Sequence, residues 1–248
     1  AGGLTTILRE IEDLLDLDFR CEWGTTLGEN LADMAPGWDQ DVVRPRANPL
    51  FPRGSMAVLR GNLAPNGAVL KQSAADQGLL VHEGRAVVFE NLEDLAERID
   101  SADLDVTADD VLVLRNIGPK GAPGMPEAGY IPIPKKLAGQ GVKDMVRISD
   151  GRMSGTAFGT IILHVSPEAA DGGPLALVQT GDRIRLDTPN RSLELLVDEA
   201  EMTVRRAAWT PPPAHKGSGR GYLKLYLDTV TQAEEGADFD FLQATGNS

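Results

Sequence analysis

Asp110-Val111-Leu112-Val113-Leu114-Arg115-Asn116 is the segment on which the fold turns. Its unbroken apolar centre, flanked by polar residues, is too short for a helix and has no polar face. It predicts a strand buried on both sides. Other strand patterns lie on either side of it. Residues 56–60 and 68–71 flank Asn66-Gly67, a hairpin-like signal. Residues 85–90 (RAVVFE), 145–148 and 159–165 are further strands, and 183–187 pairs with 193–197 across Thr188-Pro189-Asn190-Arg191. A doubly wound sheet would place a helix after each strand, and here helices are few. The expected fold is α/β: a mixed, barrel-like sheet of about eight strands, flanked by helices.

Helical patterns sit at the two ends. Leu4, Ile7, Leu8, Ile11, Leu14 and Leu15 recur at three and four, predicting an amphipathic helix over 3–17. A short helix follows over 26–34. Pro36, Pro45, Pro49 and Pro52 make 36–55 a connecting loop. Further helices are predicted near 92–99 and over 199–208 and 222–235. The expected organisation is a helical segment and linker over 1–55, packing on a barrel domain over 56–248.

The chain has 248 residues, with 24 Lys+Arg against 37 Asp+Glu, a formal net charge of −13. That balance argues against nucleic-acid binding, which needs a basic face. No apolar run approaches the ~18 residues of a membrane span. The opening AGGLTTILRE has neither the basic start nor the apolar stretch of a signal peptide. A cytoplasmic protein is expected. A start at Ala1 without Met fits a processed terminus, a trimmed chain or, most attractively, a fragment of a longer polypeptide. The one cysteine, Cys21, excludes an internal disulfide framework and any cysteine-based cluster built from this chain alone. It reads as a small buried apolar residue.

Glycine is dense in two places. Gly118-Pro119-Lys120-Gly121-Ala122-Pro123-Gly124-Met125-Pro126-Glu127-Ala128-Gly129 follows the 110–116 strand. Such a loop lets the backbone approach a ligand closely. Glu127 at its end is either a solvated loop acid or a hard-metal ligand, since Mg²⁺ is commonly held by one or two protein carboxylates. The second stretch is Ser149-Asp150-Gly151-Arg152-Met153-Ser154-Gly155-Thr156-Ala157-Phe158-Gly159. Its hydroxyls, Arg152 and backbone N–H groups suit an anionic substrate, although a plain Ser/Gly turn has the same composition. It is not G-x-S-x-G, and no nearby His offers itself as a base for Ser154. His82, His164 and His215 share no metal-ligand spacing and read as structural or surface residues. Lys135-Lys136 reads as a solvated face.

Gly124-Met125-Pro126-Glu127 and Asp150-Gly151-Arg152-Met153-Ser154-Gly155 resemble the signature segments of the dihydroxy-acid/6-phosphogluconate dehydratase family. Arg60–Ala68, His82–Ala86 and His164-Val165-Ser166-Pro167-Glu168-Ala169 resemble its flanking pieces. The resemblance runs from Ala1 to about Leu242 and is to the C-terminal half of the family's chain. Where the branched-chain enzymes have GRFSGG, this chain has Met153 and Thr156 in the variable places. Together with the tail Arg220-Gly221-Tyr222 through Asp238-Phe239-Asp240-Phe241-Leu242, that wording is similar to the sugar-acid branch, such as arabinonate or xylonate dehydratases.

The resemblance implies a β-barrel flanked by helices and a lyase of carbohydrate metabolism. Its reaction turns a 2,3-dihydroxy acid into a 2-keto-3-deoxy acid through an enol. It implies Ser154 as the alkoxide base, Glu127 as a Mg²⁺ ligand, and Thr156, Gly155 and Arg152 as substrate contacts. It also implies an iron–sulfur cluster, 2Fe-2S or 4Fe-4S, whose cysteines belong to an N-terminal domain together with the remaining Mg²⁺ ligands. The chain alone is therefore expected to be inactive, and the full protein to be a dimer or tetramer. The alternatives are a branched-chain dihydroxy-acid or phosphogluconate dehydratase domain, and a non-enzymatic ligand-binding module.

Overall fold

A computed structural model describes residues 1–22, 24–33, 38, 40–51 and 54–243. Its contacts divide the chain into two units, 1–54 and 55–248.

In the first unit, helix α1 spans Gly3–Glu10 and α2 spans Leu27–Ala32. The apolar stripe predicted a helix to 17, but α1 ends at Glu10 and a single 3-10 turn, Glu12–Leu14, follows. Carboxylates explain the early stop. Glu10, Glu12 and Asp13 would crowd the negative end of a longer helix dipole. Instead Glu10 accepts the Arg46 N–H at 3.3 Å, and Asp13 pairs with the Arg46 guanidinium. A reciprocal capping box starts α2: Glu29 N–H donates to Thr26 Oγ1 at 3.1 Å, and Thr26 N–H to Glu29 Oε2 at 2.8 Å. Described residues 40–51 hold only turns and bends, as the prolines imply. Met34, Pro36 and Pro52 lie outside the described residues. Cys21 is half-buried rather than buried.

The second unit is a closed eight-strand barrel in the order β1-β2-β6-β5-β4-β3-β7-β8. The strands are β1 Met56–Gly61, β2 Ala64–Lys71, β3 Val81–Phe89, β4 Val111–Leu114, β5 Arg147–Ser149, β6 Ile161–Ser166, β7 Arg183–Asp187 and β8 Ser192–Leu195. Around it are α3 (Leu92–Arg98), α4 (Lys135–Ala138), α5 (Glu199–Ala208) and α6 (Gly221–Thr229). The expected mixed barrel is what forms. No helix among the described residues is long and apolar enough to cross a membrane.

Why β4 is apolar throughout is now plain. Val111 and Val113 point into the barrel with Ala57, Leu59, Leu70, Ile148 and Ile184. Leu112 and Leu114 face outward into a second core with Leu95, Ile99 and Leu137 from α3 and α4. Both faces are dry, so the alternation seen in β7 and β8 disappears.

Two expectations need correcting. Asn66-Gly67 is not the hairpin turn, because β1 and β2 join at Asn62-Leu63, with Gly61 opposite Ala64. Leu63 is buried, and the Asn62 side chain bonds Leu195 N and O at 2.7 and 2.9 Å, tying the turn to β8. Gly67 lies inside β2, where its pairing with β6 shifts register. β3 also starts earlier than the predicted 85. Its first half, Val81–Arg85, pairs with β7 and its second half, Ala86–Phe89, with β4. Glu83 hides the early half from an apolar pattern, since it is there to bond Arg183 and Arg185 of β7 at 3.1 and 3.0 Å.

β3, β4, β5 and β6 run parallel. Each link between parallel neighbours must return the whole length of a strand. With the barrel interior filled by side chains, the returns from β4 to β5 and from β5 to β6 lie outside it. These two crossovers carry the two glycine-rich loops.

Candidate active site

The crossovers meet through Arg152. Its backbone carbonyl accepts the Gly129 N–H at 2.7 Å, and its Nε donates to the Met125 carbonyl at 2.5 Å. The guanidinium lies 3.5 Å from Glu127 Oε1, both side chains about half exposed. One residue thus joins the acid of the first loop to the serine loop. As a surface ion pair it contributes little stability, roughly 0–1 kcal/mol. Its role is placement.

Ser154 lies two residues on, partly buried in a turn closed by Ala157 N–H donating to Ser154 O at 3.0 Å. Its Oγ is 3.0 Å from Thr156 Oγ1 and 3.4 Å from Thr156 N. No imidazole is bonded to it among the described residues. Gly155 has open space at its Cα, and its carbonyl accepts from Lys71 Nζ at 2.8 Å. Lys71 closes β2, so a second cation besides Arg152 flanks the serine turn. Sequence reading had given Lys71 no role.

Asp150 and Glu168 hold the crossovers' roots. Asp150 is fully buried, accepting Ile117 N–H on Oδ1 at 3.0 Å and Asn116 and Ala169 N–H on Oδ2 at 3.1 and 2.9 Å. Burial pushes its pKa up to about 6, with the neighbouring Glu168 charge adding to the rise. Glu168, also buried, accepts Lys120 and Gly121 N–H at 2.9 Å each and the Gln232 amide at 3.0 Å. Burial raises its pKa too. Both acids stood inside the quoted motifs, yet only a buried carboxylate facing free N–H groups reveals their work.

His82 and His215 have their Nε2 atoms on backbone carbonyls, Asp109 O at 2.9 Å and Lys120 O at 2.8 Å. They are structural, as read. Lys135 is solvated and pairs with Asp100 at 2.7 Å, whereas Lys136 is tied to the Leu104 carbonyl. Among the described residues no group of three or more His, Cys, Asp or Glu could hold a metal. Glu127, half exposed and facing Arg152, is an oxygen donor of the kind Mg²⁺ takes. The lone Cys21 does not fit an iron–sulfur cluster.

Residues 41–237 match the family model described as dihydroxy-acid/6-phosphogluconate dehydratase C-terminal. The chain is 52% identical to a 6-deoxy-6-sulfo-D-gluconate dehydratase of Pseudomonas putida, covering 98% of this chain and 42% of that protein. It is 50% identical to an L-arabonate dehydratase of Azospirillum brasilense over 99% of this chain and 43% of that protein. A dihydroxy-acid dehydratase of Methanothrix thermoacetophila (strain DSM 6194) is 44% identical over 95% of this chain and 43% of its own length. The chain thus spans under half the length of these relatives.

Proposed function

The chain belongs to the dihydroxy-acid/6-phosphogluconate dehydratase family, and from that premise we propose that it is the C-terminal catalytic domain of a sugar-acid dehydratase. The reaction is loss of water from an aldonate to give a 2-keto-3-deoxy acid. The observation that carries this reading is the Arg152 bridge, which brings the Glu127 loop and the Ser154 turn together on the barrel's outer wall. Higher identity to the two sugar-acid dehydratases than to the dihydroxy-acid enzyme supports the branch.

The C2–H of such an acid is very weakly acidic, so its removal needs a strong base and charge stabilisation of the enolised carboxylate. Ser154 Oγ takes that proton as an alkoxide. The Thr156 hydroxyl and N–H are the donors that stabilise it, with the Arg152 and Lys71 cations flanking the turn. Arg152 also attracts the substrate carboxylate to the same place. As C2 loses its proton, the C3–O bond breaks, and the departing hydroxide takes up the proton now on Ser154 and leaves as water, restoring the alkoxide. The enol then gains a proton at C3 and loses the one on its C2 oxygen, becoming the keto acid. Mg²⁺, held in part by Glu127, would supply positive charge at the substrate oxygens. No step here passes through an iron–sulfur cluster, which these residues cannot hold. In the full-length protein it belongs outside this chain.

Turnover of pentonates, hexonates and 2,3-dihydroxyisovalerate by the full-length protein tests the reading. Preferred dehydration of an aldonate is expected. Preference for the branched acid would move the protein to the other branch, and turnover of none would overturn the dehydratase reading. Glu127→Gln is expected to raise the Mg²⁺ concentration for half-maximal activity about tenfold or more, since even outer partners of metal sites commonly cost 10–100-fold. An unchanged Mg²⁺ titration would leave the acid as loop lining.

A further inference from the structure

His164 is the histidine whose environment the structural reading does not explain. It lies in β6, yet its backbone is left-handed, with φ 53°. The pairing of β6 with β2 shows why. Val69 faces Leu163 and Gly67 faces Ser166, so β6 spends one residue more than β2 over that interval. This is a bulge, and it resets the alternation: Ile162 and Val165 both enter the barrel core. His164 is thereby turned to the outer wall instead of the interior. Bulges of this kind recur beside active sites because they re-aim one side chain. A left-handed backbone at a residue other than glycine is strained, and the surrounding structure must hold it in place.

The re-aimed ring lines a cleft of about 370 Å³ with Gly124, Met125, Arg152, Tyr226, Ala233 and Ala237. That volume falls within the roughly 300–1,000 Å³ of small-molecule sites. Gly124 and Met125, both left-handed, belong to the Glu127 loop, and Arg152 belongs to the Ser154 turn. The cleft therefore adjoins the reaction centre through the residue that joins the two loops. The ring itself has no hydrogen-bond partner among the described residues. Its backbone N–H is spent on Gly151 O at 3.1 Å. Burial, with the Arg152 cation, holds the imidazole below its usual pKa, so at neutral pH it offers one donor and one acceptor. That pairing matches a hydroxyl, which also donates and accepts, better than a second carboxylate.

We propose that this cleft receives the hydroxyl-bearing carbons beyond C3 of the substrate, with the His164 ring as the specificity-determining contact. The aliphatic walls from Met125, Ala233 and Ala237 suit the C–H faces of such a chain, and Tyr226 lines the same cleft. The inference rests on the sugar-acid reading for the identity of the ligand.

The test uses the full-length protein in a Ser154→Ala background, so that ligands bind without turnover. Dissociation constants are measured by calorimetry for a five-carbon aldonate and for 2,3-dihydroxypropanoate, which carries no hydroxyl past C3. His164→Gly removes the ring while accepting the positive φ without strain. If that variant fails to fold, His164→Asn tolerates the same backbone and lacks the ring's outer nitrogen. The aldonate is expected to bind about tenfold more weakly, the size of one hydrogen bond, with the short acid unchanged. Equal weakening of both acids, or of neither, overturns the proposal. Turnover by the wild-type protein is scored separately. Its absence beside a selective loss of aldonate binding would end the dehydratase reading and keep the cleft.

Discussion

Ser154→Ala in the full-length protein is expected to lower kcat by about 10³-fold while leaving KM nearly unchanged, the loss characteristic of a removed general base. Folding should be spared. Ser154 is partly exposed in a turn whose backbone bond, Ala157 N–H to Ser154 O, does not involve the hydroxyl. Substitutions of that kind usually stay within about 0.5 kcal/mol. Thr156→Ala supplies the graded control. It removes a donor 3.0 Å from the serine oxygen but keeps the backbone N–H, so the alkoxide becomes harder to form rather than impossible. A roughly tenfold lower kcat and an alkaline shift of the pH–rate profile are expected. Near-normal turnover by Ser154→Ala would remove the serine from the chemistry. The Arg152 bridge would then be a structural link between two loops.

The strands were legible where one physical rule decided them. β4 reads as buried because four apolar residues in succession admit no solvent face, and β7 and β8 read as paired because their alternation matches across one turn. The helix predicted over 199–208 is α5 to its limits, and Asp198 caps it by accepting the Glu201 N–H at 2.8 Å. Elements that depend on distant partners were not legible. The predicted helix over 222–235 ends at Thr229, since Gln232 must leave it to bond Glu168 twice, its amide oxygen accepting the Glu168 N–H and its amide nitrogen donating to the Glu168 carboxylate. Asn66-Gly67 has turn chemistry, yet it serves a register shift against a strand about a hundred residues away in sequence. The candidate site followed the same division. Glu127 and Ser154 could be singled out from composition and resemblance, but the joining of their two loops through Arg152 comes from β4, β5 and β6 lying side by side and parallel, which local sequence does not express. His164 was passed over for a related reason, because a bulge is a property of two strands together.

Asp150 should be the most costly polar position on the crossovers. Asp150→Ala would strand three backbone N–H groups, those of Asn116, Ile117 and Ala169, in a place with no solvent exposure. At roughly 1–3 kcal/mol for each buried donor left unmet, the expected loss is about 3–5 kcal/mol, read from denaturant unfolding of the full-length protein. Asp150→Asn separates shape from charge. Its amide keeps the volume but turns an N–H₂ toward at least one backbone N–H, so it too is destabilising. The two variants differ from wild type in their pH dependence, and the sign follows from the raised pKa. Between the ordinary aspartate value and about 6, the folded protein binds more protons at Asp150 than the unfolded chain does. Wild-type stability therefore falls, through this group, as pH rises across that window, by up to about 1.4 kcal/mol per pH unit. Asn titrates nothing there. The cost of Asp150→Asn is thus expected to be largest near pH 4 and to shrink toward pH 7. A cost that stays flat, or grows with pH, would mean that the three N–H donors outweigh burial and that the carboxylate is charged throughout. In that case the roots of both crossovers would be pinned by a permanent buried anion. Loop placement, and with it the Arg152 link between the Glu127 loop and the Ser154 turn, would then not follow pH through this residue.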